Sequence, residues 1–334
     1  MAEKDALTQE KDEKFMRRCI ELARNGITGA APNPMVGAVI VHQDCIIGEG
    51  YHRRCGGPHA EVNAIRSVQQ PELLAESTIY VSLEPCAHYG KTPPCADLII
   101  AKRIPRVVIG CRDPFAKVDG LGIRKLQEAG CQVTVGVLEK ECQDLNRRFM
   151  TYHTLKRPFI TLKWAQSADG YLGQPRSKTP LVFSTPLTQT LVHQLRAHTD
   201  AILIGGRTAL ADNPSLTTRL WEGKNPLRIV IDTRGNLPDR LQVFNGEAET
   251  LRWPSWNLKK LMTELYQRQV QTLLVEGGAA TLQHFIDARL WDDIRIETSP
   301  TVLGKGTAAP LVPRGSLSST TRYGGNIIQV FRRA

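Results

Sequence analysis

Along the first half of the chain, apolar positions alternate between two periods. Phe15, Cys19, Leu22 and Ala23 recur at helical spacing and predict an amphipathic helix over 15–25. Asn33-Pro34 marks a turn, and the apolar runs at 36–41 and 45–51 then read as a strand and its hairpin partner. Pro58 suits the first position of a helix over 58–68. A strand at 77–83, a helix at 96–103, a strand at 106–111, a helix at 122–129 closed by Gly130, and a strand at 133–137 continue the alternation. A helix over 139–149 follows, and the pattern breaks near 150–157. It restarts with a strand at 159–164, a helix at 187–197, strands at 201–205, 227–232 and 272–276, a helix at 280–288, and strands at 294–298 and 326–331. The stretch 245–257 is the least patterned and reads as a loop. Strands alternating with helices predict an α/β fold with a central sheet in each half, divided as residues 1–150 and 151–334. A chain of 334 residues is long enough for two domains, each with its own core.

Candidate chemistry is concentrated in one stretch. Pro58-His59-Ala60-Glu61 is followed by Cys86 and Cys95, each directly after a proline, Pro85 and Pro94. Two cysteines alone are more often core than ligand, because Cys is among the most buried residue types. Here each proline sets its thiol where a helix can begin, and a helix N-terminus stabilises a thiolate. His59 also falls at a predicted helix start. One imidazole and two thiolates form a three-ligand zinc site whose fourth position stays open to water, and the metal lowers the pKa of that water toward neutrality. Glu61, a carboxylate outside the ligand set, is then the candidate to move protons. Nucleobase deaminases join His-x-Glu to Pro-Cys and a second Cys. Their usual Cys-x-x-Cys is widened here to eight intervening residues, which points to one branch of that group. The other six cysteines, Cys19, Cys45, Cys55, Cys111, Cys131 and Cys142, read as buried or incidental thiols.

Composition narrows the class. The 41% hydrophobic and 23% charged fractions are those of a soluble globular protein. The first fourteen residues are charged and polar, unlike a secretory signal, and no apolar run reaches the length of a membrane span. A cytoplasmic protein with reduced thiols is expected. The net charge of +10 admits nucleic acid as a partner, but Lys and Arg are scattered and no basic run is interleaved with aromatics. Sites for phosphorylated small molecules account for the charge equally well, so neither nucleic acid nor membrane is expected.

In the second half, Val275-Glu276-Gly277-Gly278-Ala279-Ala280-Thr281 reads as strand, glycine turn and helix, a place where backbone can approach a phosphate. By itself such a Gly-Gly pair is usually just a turn. Gly205-Gly206-Arg207-Thr208 and the 211–219 segment look like further site loops. No Gly-x-Gly-x-x-Gly stands at a strand–helix junction, which argues against a Rossmann domain and requires another fold for any nicotinamide binding. Arg196 and Arg219 are candidate phosphate clamps, although Arg196 alone reads as part of a solvated helix face.

Taken together, these motifs resemble the bifunctional deaminase/reductase family of riboflavin biosynthesis over roughly residues 13–330. The resemblance is carried by 31–37 (Ala-Pro-Asn-Pro-Met-Val-Gly), 48–52 (Gly-Glu-Gly-Tyr-His), 58–61, the whole 84–95 run, 163–170 (Lys-Trp-Ala-Gln-Ser-Ala-Asp-Gly), Ala211-Asp212-Asn213-Pro214 and Val275-Glu276-Gly277-Gly278. It implies an N-terminal three-layer domain like cytidine deaminase and a C-terminal domain like dihydrofolate reductase. It implies one zinc per chain, held by His59, Cys86 and Cys95, with Glu61 as the catalytic proton shuttle. Asn33, His52, His88, Lys91 and Asp113 match deaminase-pocket positions. NADPH is the implied second cofactor, matched by Ala165, Thr208, Asp212, Thr233 and the turn Gly278, Ala279, Ala280, Thr281, Leu282, Gln283 and His284. Lys163, Arg196, Leu216, Arg219 and Glu276 match substrate positions of the reductase half. The implied chemistry is hydrolytic deamination of a phosphoribosylaminopyrimidine, then reduction of its ribosyl group to a ribityl group, giving 5-amino-6-(5-phosphoribitylamino)uracil. A homo-oligomer is expected. Three positions depart from the family: Leu181-Val182-Phe183 replaces a Trp-containing segment, 173–180 is one residue longer, and Leu121 stands where a basic residue is expected. Two other readings compete. A nucleic-acid base deaminase with a C-terminal binding module is disfavoured by the cysteine spacing. A deaminase with a decayed reductase half is disfavoured by the intact Asp212 loop and Glu276-Gly277-Gly278 turn.

Overall fold

A computed structural model describes residues 2–89, 93–115, 118–173, 181–313 and 315–333. Two compact units make up the chain, Met1–Leu155 and Lys156–Ala334.

The first unit contains, in order, α1 (Ala2–Arg24), β1 (Gly37–His42), β2 (Cys45–Tyr51), α2 (Ala60–Ser67), β3 (Thr78–Leu83), α3 (Cys95–Ala101), β4 (Arg106–Cys111), α4 (Leu121–Glu128), β5 (Gln132–Val135), α5 (Glu139–Leu145) and α6 (Arg147–Leu155). Its sheet has the order β2-β1-β3-β4-β5. The pairs β2/β1 and β1/β3 are antiparallel, while β3, β4 and β5 run parallel. Period-two alternation sends side chains to both faces of this sheet. Ala38, Ile40, Ile79, Val81, Val107 and Ile109 pack against Ala64 of α2, Ile99 of α3 and Ile123 and Leu126 of α4. Val39, Val41, Tyr80 and Val108 meet Phe15, Met16 and Cys19 of α1 and Cys142 of α5. The result is three layers, with the C-terminal edge of β3 and β4 left for the site.

The second unit contains β6 (Phe159–Gln166), β7 (Tyr171–Gly173), α7 (Pro186–Ala197), β8 (Ala201–Gly205), α8 (Gly206–Asp212), β9 (Leu227–Ile231), β10 (Thr250–Trp253), α9 (Leu258–Gln267), β11 (Thr272–Gly277), α10 (Ala279–Asp287), β12 (Asp293–Thr298), β13 (Thr307–Ala308), β14 (Ser316–Tyr323) and β15 (Asn326–Arg332). The large sheet has the order β10-β9-β8-β11-β6-β12-β15-β14, and β13 pairs with β7 apart from it. From β10 to β12 all neighbours are parallel, so their C-terminal ends share one edge. One face packs Ile160, Leu162, Leu203 and Val275 on Leu261 and Leu265 of α9 and Leu282 and Phe285 of α10. The other sets Ile202, Ile204, Val230 and Leu274 against Ala209 of α8 and the loop residues Leu216, Leu237 and Val243.

Several sequence expectations are corrected. Helix α2 begins at Ala60 with His59 as its N-cap, so Pro58 precedes the helix instead of occupying its first position. The helix expected over 139–149 is two, α5 and α6, and α6 runs through the boundary expected at 150. The segment 245–257 holds strand β10, which is four residues long and lies at the sheet edge, so it carries little alternation. Helix α9 was absent from the pattern reading although Leu258, Leu261, Met262 and Leu265 form a regular buried stripe. Lys91 and most of 173–180 lie outside the described residues.

Candidate metal centre and glycine cradle

His59 caps α2 from an extended backbone conformation, and Cys95 is the first residue of α3. Cys86 departs from expectation: it sits in the loop after β3 and not at a helix start. Its sulfur accepts the backbone N–H of Cys95 at 3.3 Å, which ties the two thiols together. The Nδ1 of His59 lies 3.6 Å from Cys86 Sγ and 3.3 Å from Cys95 Sγ. A tetrahedral zinc with ordinary Zn–S and Zn–N bonds holds N and S about 3.6 Å apart, so the three donors fit such an ion. They form the one His/Cys/Asp/Glu cluster of metal-binding geometry among the described residues. Hydrogen bonding from the Cys95 side chain pulls the Cys86 thiol down to about 4, while Cys86 and burial push the Cys95 thiol up. A divalent cation binds the thiolate forms of both cysteines and so displaces their protons.

Glu61 lies in the first turn of α2, buried and two residues from His59. Burial raises its pKa and the neighbouring His59 moderates that shift. A carboxylate so placed can both take and return a proton. His52, just after β2, is also buried, which lowers its pKa. Its Nδ1 lies 3.0 Å from the Pro58 carbonyl, which can only accept, so Nδ1 carries the proton. Its Nε2 therefore accepts from Asn33 Nδ2 at 3.2 Å. The His52 and His59 rings meet edge-on at 5.3 Å.

Asp113 follows β4, and burial lifts its carboxyl to about 6. It lines an open cavity of about 520 Å³ with Arg112, Asp119, Gln143, Arg147 and Thr151. His88 packs 6.1 Å from the Phe115 ring, and its buried Nδ1 has no hydrogen-bond partner among the described residues. Leu121 is exposed, and Arg112 reaches to 3.7 Å from where a Cβ on the adjacent Gly120 would stand, so a cation is present at this turn after all. Glu84, just after β3, has a structural role that its motif does not announce. Its buried carboxylate accepts the backbone N–H groups of Gly120 and Gly122, both at 3.0 Å, and of Asp113 and Ile123. It thereby binds the loop carrying Asp113 to the segment carrying Cys86. An acidic residue at the end of an apolar strand was the signal for it.

In the second unit, the ends of β8 and β11 form a cradle. Gly278 has φ +67°, and a Cβ there would lie 2.7 Å from Thr208 Oγ1. A Cβ on Gly205 would strike Thr281 Oγ1. The two glycines thus let their backbone lie against the hydroxyls of Thr208 on α8 and Thr281 on α10, an approach that any Cβ would block, beside the N-terminus of α10, where backbone N–H groups can meet a phosphate. Ala165 is the penultimate residue of the neighbouring strand β6, Thr233 follows β9, and His284 lies on α10. Asp212 closes α8, where burial raises its pKa. Leu216 is buried with φ +56°.

Arg196 corrects the sequence reading of a solvated helix face. It is largely shielded from solvent, with 11% of its side chain exposed, and forks onto Glu276, Nη2 to Oε2 at 2.7 Å and Nε to Oε1 at 3.1 Å. Burial alone would raise Glu276, but the charges of Arg196 and Lys163 outweigh it and hold the carboxyl at about 2. Burial lowers the Lys163 amine against the pull of Glu276. His193, pushed down to about 4 by burial and by Arg196 and Arg219, accepts the Arg219 backbone N–H at 3.0 Å. Exposed Arg219 also donates to Ser215 Oγ and, at 2.8 Å, to Thr217 Oγ1. Glu297 was missed. It is buried on β12, paired in register with Ala165, and accepts from Ser184 Oγ at 2.7 Å. Charged residues inside an apolar strand, Ile-Arg-Ile-Glu over 294–297, were its signal.

Residues 9–111 match the cytidine and deoxycytidylate deaminase zinc-binding region, and residues 158–327 match the RibD C-terminal domain. The riboflavin biosynthesis protein RibD of Aquifex aeolicus (strain VF5) is 38% identical over 323 residues, covering 90% of each chain. The chain belongs to the RibD family. The Escherichia coli (strain K12) RibD is 35% identical over 329 residues, 88% of this chain and 89% of its own. The crystal structure of a diaminohydroxyphosphoribosylaminopyrimidine deaminase/5-amino-6-(5-phosphoribosylamino)uracil reductase from Thermotoga maritima matches with TM-score 0.87 at 36% identity, covering 98% of this chain and all of that one. Acinetobacter baumannii RibD (form 1) matches with TM-score 0.88 at 30% identity, covering 98% of this chain and 99% of that one. As a RibD, the chain is a bifunctional enzyme of riboflavin biosynthesis with a zinc-binding deaminase domain and a reductase domain. No helix among the described residues is long and apolar enough to cross a membrane.

Proposed function

We propose that the first unit hydrolyses the amino group of a phosphoribosylaminopyrimidine, and that the second reduces the ribosyl group of the product to a ribityl group. The observation that carries this reading is the His59, Cys86 and Cys95 cluster with buried Glu61 beside it. Zinc held by these three residues supplies Lewis acidity that lowers the pKa of water. Glu61 takes one proton from the attacking water and hands it to the pyrimidine ring nitrogen, then carries the second, released by the new hydroxyl as the carbonyl forms, to the departing amino group. Its raised pKa favours that exchange, because a shuttle works best near the ambient pH. His52 and Asn33, locked to each other, orient the ring, and Asp113, His88 and Lys91 hold the rest of the substrate.

In the second unit, NADPH supplies the hydride. Gly278, Thr208 and Thr281 would hold its pyrophosphate, and Ala165, Asp212, Thr233 and His284 would complete its site. The reduction opens the sugar, so it depends more on holding the sugar carbon in place than on a strong acid. Arg219, with donors free of Glu276, binds the substrate phosphate. Arg196 braces Glu276, and Lys163 faces that pair as the candidate proton donor to the ring oxygen. Eight free cysteines fit a reducing, cytoplasmic setting. Size-exclusion chromatography is expected to return more than one chain per particle.

The test follows two signals on one sample: ammonia release and loss of NADPH absorbance. With the aminated substrate, Glu61→Gln is expected to slow both about a hundredfold or more. With the deaminated substrate it is expected to oxidise NADPH at the wild-type rate. NADPH oxidation by Glu61→Gln on the aminated substrate at the wild-type rate, with ammonia release still slowed, would refute the order of steps.

A further inference from the structure

We propose that Trp256 is the platform on which the adenine ring of the nicotinamide dinucleotide lies. This rests on the reading that the pyrophosphate occupies the Gly205 and Gly278 cradle. Two tryptophans lie three residues apart after β9. Trp253 ends β10 and is buried in the core. Trp256 takes no part in a core cluster and leaves 39% of its surface exposed. The carbon Cη2 of its indole stands 4.0 Å from where a Cβ on Gly205 would be, so the ring borders the cradle. The ring of His284 meets it at 5.2 Å and 71°, and His284 Nε2 lies 3.4 Å from the Trp256 carbonyl. The indole is thus braced from α10 and open elsewhere, the condition for offering a face to another flat ring.

Strand order gives the direction. Glu276 stands on β11, itself a cradle strand, and Lys163 and Glu297 stand on β6 and β12, beyond β11 and away from β8. The reacting nicotinamide must point toward those charges. The adenosine half then leaves the pyrophosphate the opposite way, over Gly205 toward β9 and β10. Thr233 follows β9 on that side, and Trp256 follows β10. Stacking of a base on an aromatic side chain is sequence-tolerant and large enough to dominate this half of the ligand.

The test is calorimetric titration of the full chain with NADPH and, in parallel, with reduced nicotinamide mononucleotide, which lacks the adenosine. Trp256→Leu is expected to weaken NADPH about tenfold or more, as removal of one base-stacking partner does. Trp256→Phe keeps a ring face and is expected to stay within about threefold of wild type, so a folding defect confined to the Leu variant is recognised by its thermal unfolding. Affinity for the mononucleotide is expected to be the same in all three proteins. An unchanged NADPH affinity in Trp256→Leu overturns the platform, as does an equal loss for the mononucleotide. Gly278→Ala separates the two readings. If it leaves NADPH binding intact, the cradle itself is wrong. If it weakens NADPH while Trp256→Leu does not, the cradle stands and the platform falls.

Discussion

The metal cluster draws its ligands from a run of 37 positions, 59 to 95, at the edge of one sheet. The charged group around Glu276 draws on Lys163, Arg196, Glu276 and Glu297, spread over 135 positions, 163 to 297, and four secondary-structure elements. The first is a closed set of donors that needs one cation to be complete. The second is already neutralised from within, because Arg196 and Glu276 occupy each other. One site is finished by what it binds, and the other is held ready before anything binds. The contrast predicts that damage in the first appears as lost metal and chemistry, whereas damage in the second appears first as lost stability.

The largest expected effect is in the cluster. Cys86→Ala should purify with far less than one zinc per chain by elemental analysis, and it should not release ammonia. Because metal binding is coupled to folding, its first unit should also unfold at lower temperature. Full zinc occupancy in Cys86→Ala would break the comparison. Glu61→Gln should keep its zinc and lose about a hundredfold or more in deamination rate, the usual scale for a general acid–base.

Arg196→Ala leaves Glu276 charged and unpaired in a buried setting. It should cost about 3–5 kcal/mol in urea unfolding of the second unit, besides lowering the reduction rate. A stability loss below about 1 kcal/mol would mean that the pair is no more than a surface contact. The same pair sets a pH dependence. Glu276 is held near 2, below its ordinary 4.5, so its ionised form stabilises the fold. That contribution is complete above pH 4.5 and is lost as pH falls from there to about 2. Its size is on the order of 3 kcal/mol, and it should vanish from the difference between wild type and Glu276→Gln measured across that window. The smallest effect is expected at Thr185, whose side chain accepts the Thr188 N–H at 3.2 Å to cap α7, the helix that carries His193 and Arg196. Thr185→Ala should cost about 1 kcal/mol in the same unfolding experiment.

How far each site was legible in the sequence follows from the same contrast. His59, Glu61, Cys86 and Cys95 have chemistry written in residue type and spacing, and local structure brings them together. The partnership of Arg196 with Glu276 crosses 80 positions, so nothing near Arg196 announces it. Strands with one or two apolar faces were visible. Strand β14 was not, because all but the last of its eight residues are exposed and its pairing with β15 is made by backbone alone. Helix α9 was legible and passed over: Asn257 caps it and its apolar stripe is regular. The left-handed backbone at Gly278 and the crossing of Thr208 over it depend on two strand ends meeting. The Gly-Gly pair alone could not distinguish a cradle from a turn.

Glu84 has a consequence for anyone who would rebuild the deaminase pocket. Its carboxylate grips the amides of Gly120 and Gly122, and a side chain at 122 would collide with the Pro85 carbonyl one residue from Cys86. The turn over 118–122 that leads into α4 is therefore not a module that can be exchanged freely to change substrate preference. A graft that drops either glycine, or lengthens the turn between them, would transmit its misfit to a metal ligand. Such a chimera would fail as a metalloprotein before its new specificity could be measured.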